Sequence, residues 1–198
     1  MSPDDMVKAA IDVAEEGMAH GEMPIGAVVE MGGRIVSRAF TRDVSLGRRL
    51  VHADLLAMIA ADEELGWRSR PHPVRLAVNL EPCLMCLGAA MALKVTEVYY
   101  GLESPADGGS AVAATWPANP DLPWYVAPTI TGGVRRAEVQ DQFRRYCDRA
   151  PESGFRSWAV SLTTLPERGP SSNSRQPTAA TEPLYAGTTS PPEQNSAG

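Results

Sequence analysis

Two short segments constrain this chain more than any other feature: V-H-A-D-L-L-A-M (Val51 to Met58) and L-E-P-C-L-M-C (Leu80 to Cys86). They supply one imidazole, His52, and two thiols, Cys83 and Cys86. The C-x-x-C step places both sulfurs on one helical turn, within reach of one ion. Imidazole with thiolates is a donor set that zinc favours. Three such ligands leave one tetrahedral position open, which separates a catalytic zinc from a structural one. Asp54 stands two residues beyond the histidine, at a helix start, where a carboxylate can face a metal without binding it. Zinc lowers the pKa of the water it holds to about 7. Hydrolysis at an electrophilic carbon then needs a carboxylate to carry the proton from the water to the leaving side. The fold that serves this pattern brings two separate helix N-termini to one point, where they favour negative charge.

Two other readings of the cysteines stay open on the residues alone. A C-x-x-C pair also marks thioredoxin-like redox sites, although neither the preceding Pro82 nor the upstream H-x-D belongs to that pattern. A structural zinc needs a fourth ligand, and the spare candidates are His20, His72 and Cys147. Cys147 lies in F-R-R-Y-C-D-R-A, which reads as a helix with a buried thiol. His20 closes the first helix, a favourable place for a cation. His72 lies between Pro71 and Pro73 in a solvated loop.

The remaining elements follow from local pattern. Ser2 is placed to cap a helix with Pro3 at its first position and Asp4 and Asp5 in its first turn. Gly21 is placed to end it. Ile25 to Met31 and Arg34 to Phe40 read as strands joined at Gly32-Gly33. A helix covers Leu55 to Leu65, a strand Val74 to Leu80, a helix Leu84 to Leu93 and a strand Val95 to Tyr100. Thr129 to Thr131 is a last strand, followed by a helix from Arg135 to Arg149. Phe155 to Leu165 reads as a short strand or an extended segment. This order implies a right-handed crossover and a sheet covered by helices.

Residues 1–165 form one domain on this reading. From Pro166 to Gly198 the chain is rich in Pro, Ser, Thr, Gly and Gln, too poor in large apolar residues to offset the cost of ordering, and is expected to be disordered. No stretch of 18 apolar residues suggests a membrane span, and the N-terminus lacks a secretory pattern. Three cysteines, two of them committed to metal, suit a reducing, cytoplasmic compartment. A net charge of −6, from 18 basic and 24 acidic residues, weighs against a long grip on RNA phosphates. Arg135, Arg136, Arg144, Arg145 and Arg149 form either a local basic patch or a solvated helix face.

The signature H-x-E…P-C-x-x-C belongs to the zinc nucleobase deaminases, and this chain resembles them. The likeness to bacterial tRNA-adenosine deaminases and to guanine and cytosine deaminases extends over E-M-P-I-G-A-V-V-E (Glu22 to Glu30), L-E-P-C-L-M-C-L-G-A-A (Leu80 to Ala90), V-Y-Y-G (Val98 to Gly101) and A-D-G-G-S (Ala106 to Ser110), in that order, across roughly residues 3 to 150. It implies a three-layer α/β/α cytidine-deaminase-like fold, with a mixed central sheet of about five strands. It further implies Zn2+ on His52, Cys83 and Cys86, with Asp54 as proton shuttle. The substrate is then an amino-substituted nucleobase or nucleoside, with a tRNA wobble adenosine as alternative, and the assembly a homodimer. Gly26 and Ala27 are expected to line the pocket, with strand packing as the other reading. The Ala53 backbone amide is expected to hold substrate. Trp116, Trp124 and Tyr125 border the pocket or pack their loop onto the core.

The chain departs from the pattern twice. Asp54 replaces the usual glutamate and is shorter by about 1.5 Å of reach, which leaves open a base-binding protein with little turnover. Thr41 stands where close relatives carry a substrate-holding asparagine, and a single hydroxyl cannot make an amide's two-sided clamp.

Overall fold

The computed structural model describes residues 1–67, 69–166 and the backbone of 171–173. It opens with α1 (Pro3–Ala19), where Ser2 accepts from the Asp5 amide and Asp5 returns the bond to Ser2, a complete capping box. A hairpin follows, β1 (Gly26–Met31) and β2 (Arg34–Phe40). Gly32 and Gly33 turn it with φ of 63° and 87°, which only glycine adopts without strain. Next come α2 (Asp43–Leu46), α3 (Ala53–Leu65), β3 (Val74–Leu80), α4 (Leu84–Ala92) and β4 (Val95–Leu102). The chain continues through α5 (Ser110–Thr115), β5 (Thr129–Gly132), α6 (Arg136–Arg149), α7 (Gly154–Thr163) and β6 (Ser171–Asn173).

The strand order is β2-β1-β3-β4-β5-β6. The hairpin pairs antiparallel with β3, while β3, β4 and β5 run parallel. The first five strands form the mixed sheet expected of the deaminase-like fold. Alternation sorts side chains to the two faces: Val74, Leu76 and Val78 pack beneath α3 and α4, while Ala77 and Tyr99 meet α1 and α6. A buried polar relay ties the second layer together. Asn79 accepts from the Gly26 amide at 3.0 Å and donates to Gln142 at 2.9 Å, and Gln142 donates to the Ile11 carbonyl at 3.1 Å.

Two expectations are corrected. The segment after α6 is a helix, α7, capped by Ser153, whose hydroxyl accepts from the Arg156 amide at 3.2 Å. Ala159 and Leu162, three apart, face the core, and this helical spacing outweighs the strand propensity of its valine and threonine. Residues 171–173, expected to be disordered, pair antiparallel with β5; 167–170 and 174–198 lie outside the described residues. Of the five arginines read as a patch or a solvated face, Arg144 and Arg149 are exposed, and the other three are ion-paired. Arg136 makes two bonds to Glu103, at 2.8 and 2.6 Å, while Arg145 pairs with Glu15 and Arg135 with Asp4 and Glu138.

Candidate active site

The sheet brings the two motif segments together because α3 and α4 both pack on the same face and start near its centre. His52 is the N-cap of α3 and Cys83 the N-cap of α4. Both residues are extended, and neither side chain caps its own helix, so imidazole and thiol are free to converge. His52 Nδ1 lies 3.6 Å from Cys83 Sγ and 3.8 Å from Cys86 Sγ. Tetrahedral zinc with ordinary bond lengths spaces its nitrogen and sulfur ligands about 3.5 Å apart. The three side chains therefore fit the ion as they stand, and they form the one such cluster among the described residues.

None of the spare candidates supplies a fourth ligand. His20 stacks on Phe40 with Nδ1 at the Glu16 carbonyl, His72 sits by the Gly32 turn, and Cys147 is buried in α6. Both the structural-zinc reading and the redox reading lose ground here. The cysteines are free thiols close to one imidazole, and His52 and Cys83 border a cavity.

The cluster's protonation is strongly coupled. A hydrogen bond from the Cys86 thiol, with help from His52, pulls Cys83 down to about 4. The same contact, burial and the nearby Asp54 carboxylate push Cys86 far up. His52 rises to about 9, chiefly through its bond to Cys83. Loading a metal at neutral pH therefore displaces protons from His52 and Cys86.

Asp54 is buried, and its Oδ1 accepts from the Leu55 amide at 3.1 Å. Burial raises its pKa, while hydrogen bonding to Cys86 opposes the rise. The carboxylate thus stands beside the ligand cluster without joining it.

A cavity of about 520 Å³ opens onto this cluster, within the range of small-molecule sites. His52, Ala53, Asp54 and Cys83 form part of its wall, as does Thr41. The Thr41 hydroxyl donates to Asp43 and to the Val51 carbonyl, so its proton is already committed. Gly26 and Ala27 are not in the wall, and the expectation that they line the pocket is corrected. A Cβ on Gly26 would stand 2.4 Å from Ala10 O and Ala14 N, so this glycine exists to let α1 cross β1 closely, and Ala27 is core.

Trp116 and Tyr125 pack edge to face, and Tyr125 donates to the Gly88 carbonyl at 3.2 Å, so they fasten their loop to α4 rather than line the cavity. Trp124 is also absent from the wall.

The aromatic wall comes instead from α7, through Phe155 and Trp158. Sequence reading missed these because the segment was taken as extended. It also missed Arg48 and Arg49, a doubled charge just ahead of His52, and Glu81. Glu81 sits inside the second motif, and its position there was the available signal. Its carboxylate accepts from the amides of Ser104 and Ser110, both at 3.0 Å, holding the A-D-G-G-S loop against the site. Gly108 is required there, since a Cβ would strike that carboxylate.

Comparison with known proteins agrees with this construction. Residues 2–102, just over half the chain, match the model of the cytidine and deoxycytidylate deaminase zinc-binding region. The chain is 38% identical over 112 residues to a tRNA-specific adenosine deaminase of Bacillus subtilis, covering 56% of this chain and 68% of that protein. It is 33% identical over 155 residues to a tRNA(Ile)-lysidine synthase of Deinococcus deserti, covering 76% of this chain but only 28% of that longer protein. A solved structure from work on A-to-I editing by tRNA:A34 deaminases superposes with a TM-score of 0.60 at 28% identity, covering 70% of this chain and 98% of the other. A metal-ready imidazole and thiol pair at two helix starts, the mixed sheet behind it and the match through both motif segments lead to one conclusion: the chain belongs to the cytidine and deoxycytidylate deaminase zinc-binding family.

Proposed function

We propose that this protein is a zinc-dependent hydrolytic deaminase that converts an amino-substituted nucleobase or nucleoside to its oxo form and releases ammonia. One observation carries the reading: the His52, Cys83 and Cys86 cluster, with Asp54 beside it, at the wall of a cavity of small-molecule size. Zinc on these three ligands supplies a Lewis acid that lowers the pKa of water to about 7. Asp54 takes a proton from the attacking water and returns it to a ring nitrogen of the base. A carbon–oxygen bond forms, Asp54 carries the remaining hydroxyl proton to the exocyclic nitrogen, the bond to that nitrogen breaks, and ammonia leaves as the carbonyl forms. The Ala53 amide orients the substrate, and Thr41 is left with acceptor capacity only, since its hydroxyl proton is engaged.

The relatives favour a second reading, the wobble adenosine of tRNA. The net charge of −6 and the ion pairs that engage Arg135, Arg136 and Arg145 favour a small substrate. Ammonia release across adenine, guanine, cytosine, their nucleosides and an anticodon stem-loop, with zinc measured on the same sample, decides between them. Release from a base or nucleoside supports the first reading, and release from the stem-loop alone supports the second. A zinc-loaded sample that binds bases without releasing ammonia identifies a binding protein weakened at Asp54.

The protein is further proposed to be a cytoplasmic homodimer. No helix of the described residues is long and apolar enough to cross a membrane. Ile59 and Leu84, on the adjacent helices α3 and α4, are both about half exposed and offer an apolar face to a second copy.

A further inference from the structure

We infer that Glu22 is a positioning residue for the substrate: its carboxylate holds α2, and with it the wall segment 41–49, so that its loss weakens substrate binding and leaves the chemical step intact. The inference rests on the deaminase reading and deepens it. Glu22 is almost fully buried, and both of its oxygens are engaged across the fold. Oε2 accepts from the Val44 amide at 2.9 Å and Oε1 from the Ser45 amide at 2.8 Å. These are the second and third residues of α2, whose amides have no partner inside the helix. Arg42, the N-cap, makes no side-chain cap. Glu22 therefore supplies, from 22 residues away, the cap that the local sequence lacks.

Burial does not hold α2 in place. The helix is a single turn of four residues, too short to persist alone in water. Asp43 is its one buried residue, while Val44 and Leu46 are 49% and 42% exposed. Its position is therefore fixed by polar bonds rather than by an apolar face. The turn matters to the site because the cavity wall runs through it: Thr41, Asp43, Gly47, Arg48 and Arg49 all border the cavity. Glu22 is not in that wall, although its neighbour Met23 is, so it acts from behind the surface that meets substrate. The entry to the segment is anchored independently. The Thr41 amide donates to the Ile25 carbonyl at 3.0 Å, and the Arg42 amide to the Val51 carbonyl at 3.0 Å. These bonds keep Val51, and with it the adjacent His52, in register when the carboxylate is removed. Loss of Glu22 thus frees 43–47 and spares the metal cluster.

The test uses the zinc-loaded full chain and whichever of adenine, guanine, cytosine, their nucleosides or the anticodon stem-loop it deaminates best. E22A removes both acceptors, whereas E22Q keeps one acceptor oxygen and turns an amide N–H toward the other backbone donor. KM for ammonia release is expected to rise about tenfold in E22A, the scale of a lost hydrogen bond to a charged group, and less in E22Q, while kcat stays within about twofold of the parent. Zinc content should stay at one per chain. Hydrogen exchange at the Val44 and Ser45 amides should quicken in the same order. E16Q removes an exposed carboxylate of equal charge from α1, paired with Arg38, and should change neither KM nor exchange. A glutamate that only stabilises the fold would lower the active fraction, and so kcat per chain, with KM unmoved. That result overturns the inference, as does an unchanged KM once the two amides have lost protection. If E22A does not fold, E22Q decides alone by the same criteria. If no compound is deaminated, the function reading fails, and calorimetry with the same compounds still decides the positioning role: weaker binding in E22Q than in the parent upholds it, and equal binding rejects it.

Discussion

At the inner end of the cavity, His52, Asp54, Cys83 and Cys86 come from two helix starts, and each has a neighbour within the cluster. At the outer wall, Arg48 and Arg49 come from a loop, and Phe155 and Trp158 from α7, late in the chain. The inner groups are buried or half-buried, and their protonation is coupled. The outer ones are more exposed, and Arg48 and Arg49 have no ion pair among the described residues. The inner end is therefore where a change should destroy turnover, and the outer wall is where it should only redirect it. Chemistry needs atoms fixed within about an ångström, whereas substrate choice depends on the shape and charge of a wall that can vary.

Asp54 offers the largest test of this contrast. Asp54→Asn keeps the shape and removes proton transfer, and steady-state ammonia release should fall by about 100- to 10,000-fold. Asp54→Glu, which restores the usual reach, should meet or exceed the parent rate. Full activity in the asparagine variant would erase the distinction between the two ends.

Glu81 links them, because it holds the loop of Ser104 and Ser110 against the second motif. Glu81→Ala leaves two amides without their acceptor, at a cost of about 1–3 kcal/mol in urea unfolding. Activity should fall by about tenfold as the wall loosens.

Trp158→Ala removes the outer wall together with an edge contact on Phe143, and should raise KM by several-fold to about tenfold while kcat changes little, which a KM-against-kcat split reads directly. A kcat loss as large as that of Asp54→Asn would show that α7 belongs to the inner machinery.

The smallest effect lies far from both ends. Burial pushes the Glu30 carboxyl up, but bonds from Arg75 and the Gly33 amide outweigh it and hold the pKa below its ordinary value of 4.5. An acid with a depressed folded pKa adds stability above its unfolded pKa. That stability is lost as pH falls through the folded value. Glu30→Gln should therefore flatten the acid branch of stability below about pH 4.5, a change of about 1–3 kcal/mol followed by urea titration. Deamination kinetics at neutral pH should be nearly unaltered.

The same contrast explains what could be read from the chain. The metal cluster was legible because its ligands occupy contiguous motifs whose spacing is dictated by one helical turn. The central strands were legible because β3 carries a largely apolar run, with Val74, Leu76, Ala77, Val78 and Leu80, and because Gly32-Gly33 marks the hairpin. The wall was not legible. It is assembled from residues 23 to 158, which meet only after the sheet has formed. Gly26 illustrates the limit. A small residue near a motif suggested room for a ligand, yet the space is filled by the backbone of α1. In α7, strand propensity in a short amphipathic segment was overruled by the helical spacing of Ala159 and Leu162 against the core.

The central claim is that zinc on His52, Cys83 and Cys86 makes this cavity a deaminase. Purified protein stripped by chelator and titrated with zinc, with ammonia release followed on the best substrate of the screen, tests it most directly. The account predicts no release from the stripped protein and full recovery at one zinc per chain. A rate that persists without metal, or a one-to-one zinc load that restores nothing on any base, nucleoside, nucleotide or stem-loop, would contradict it.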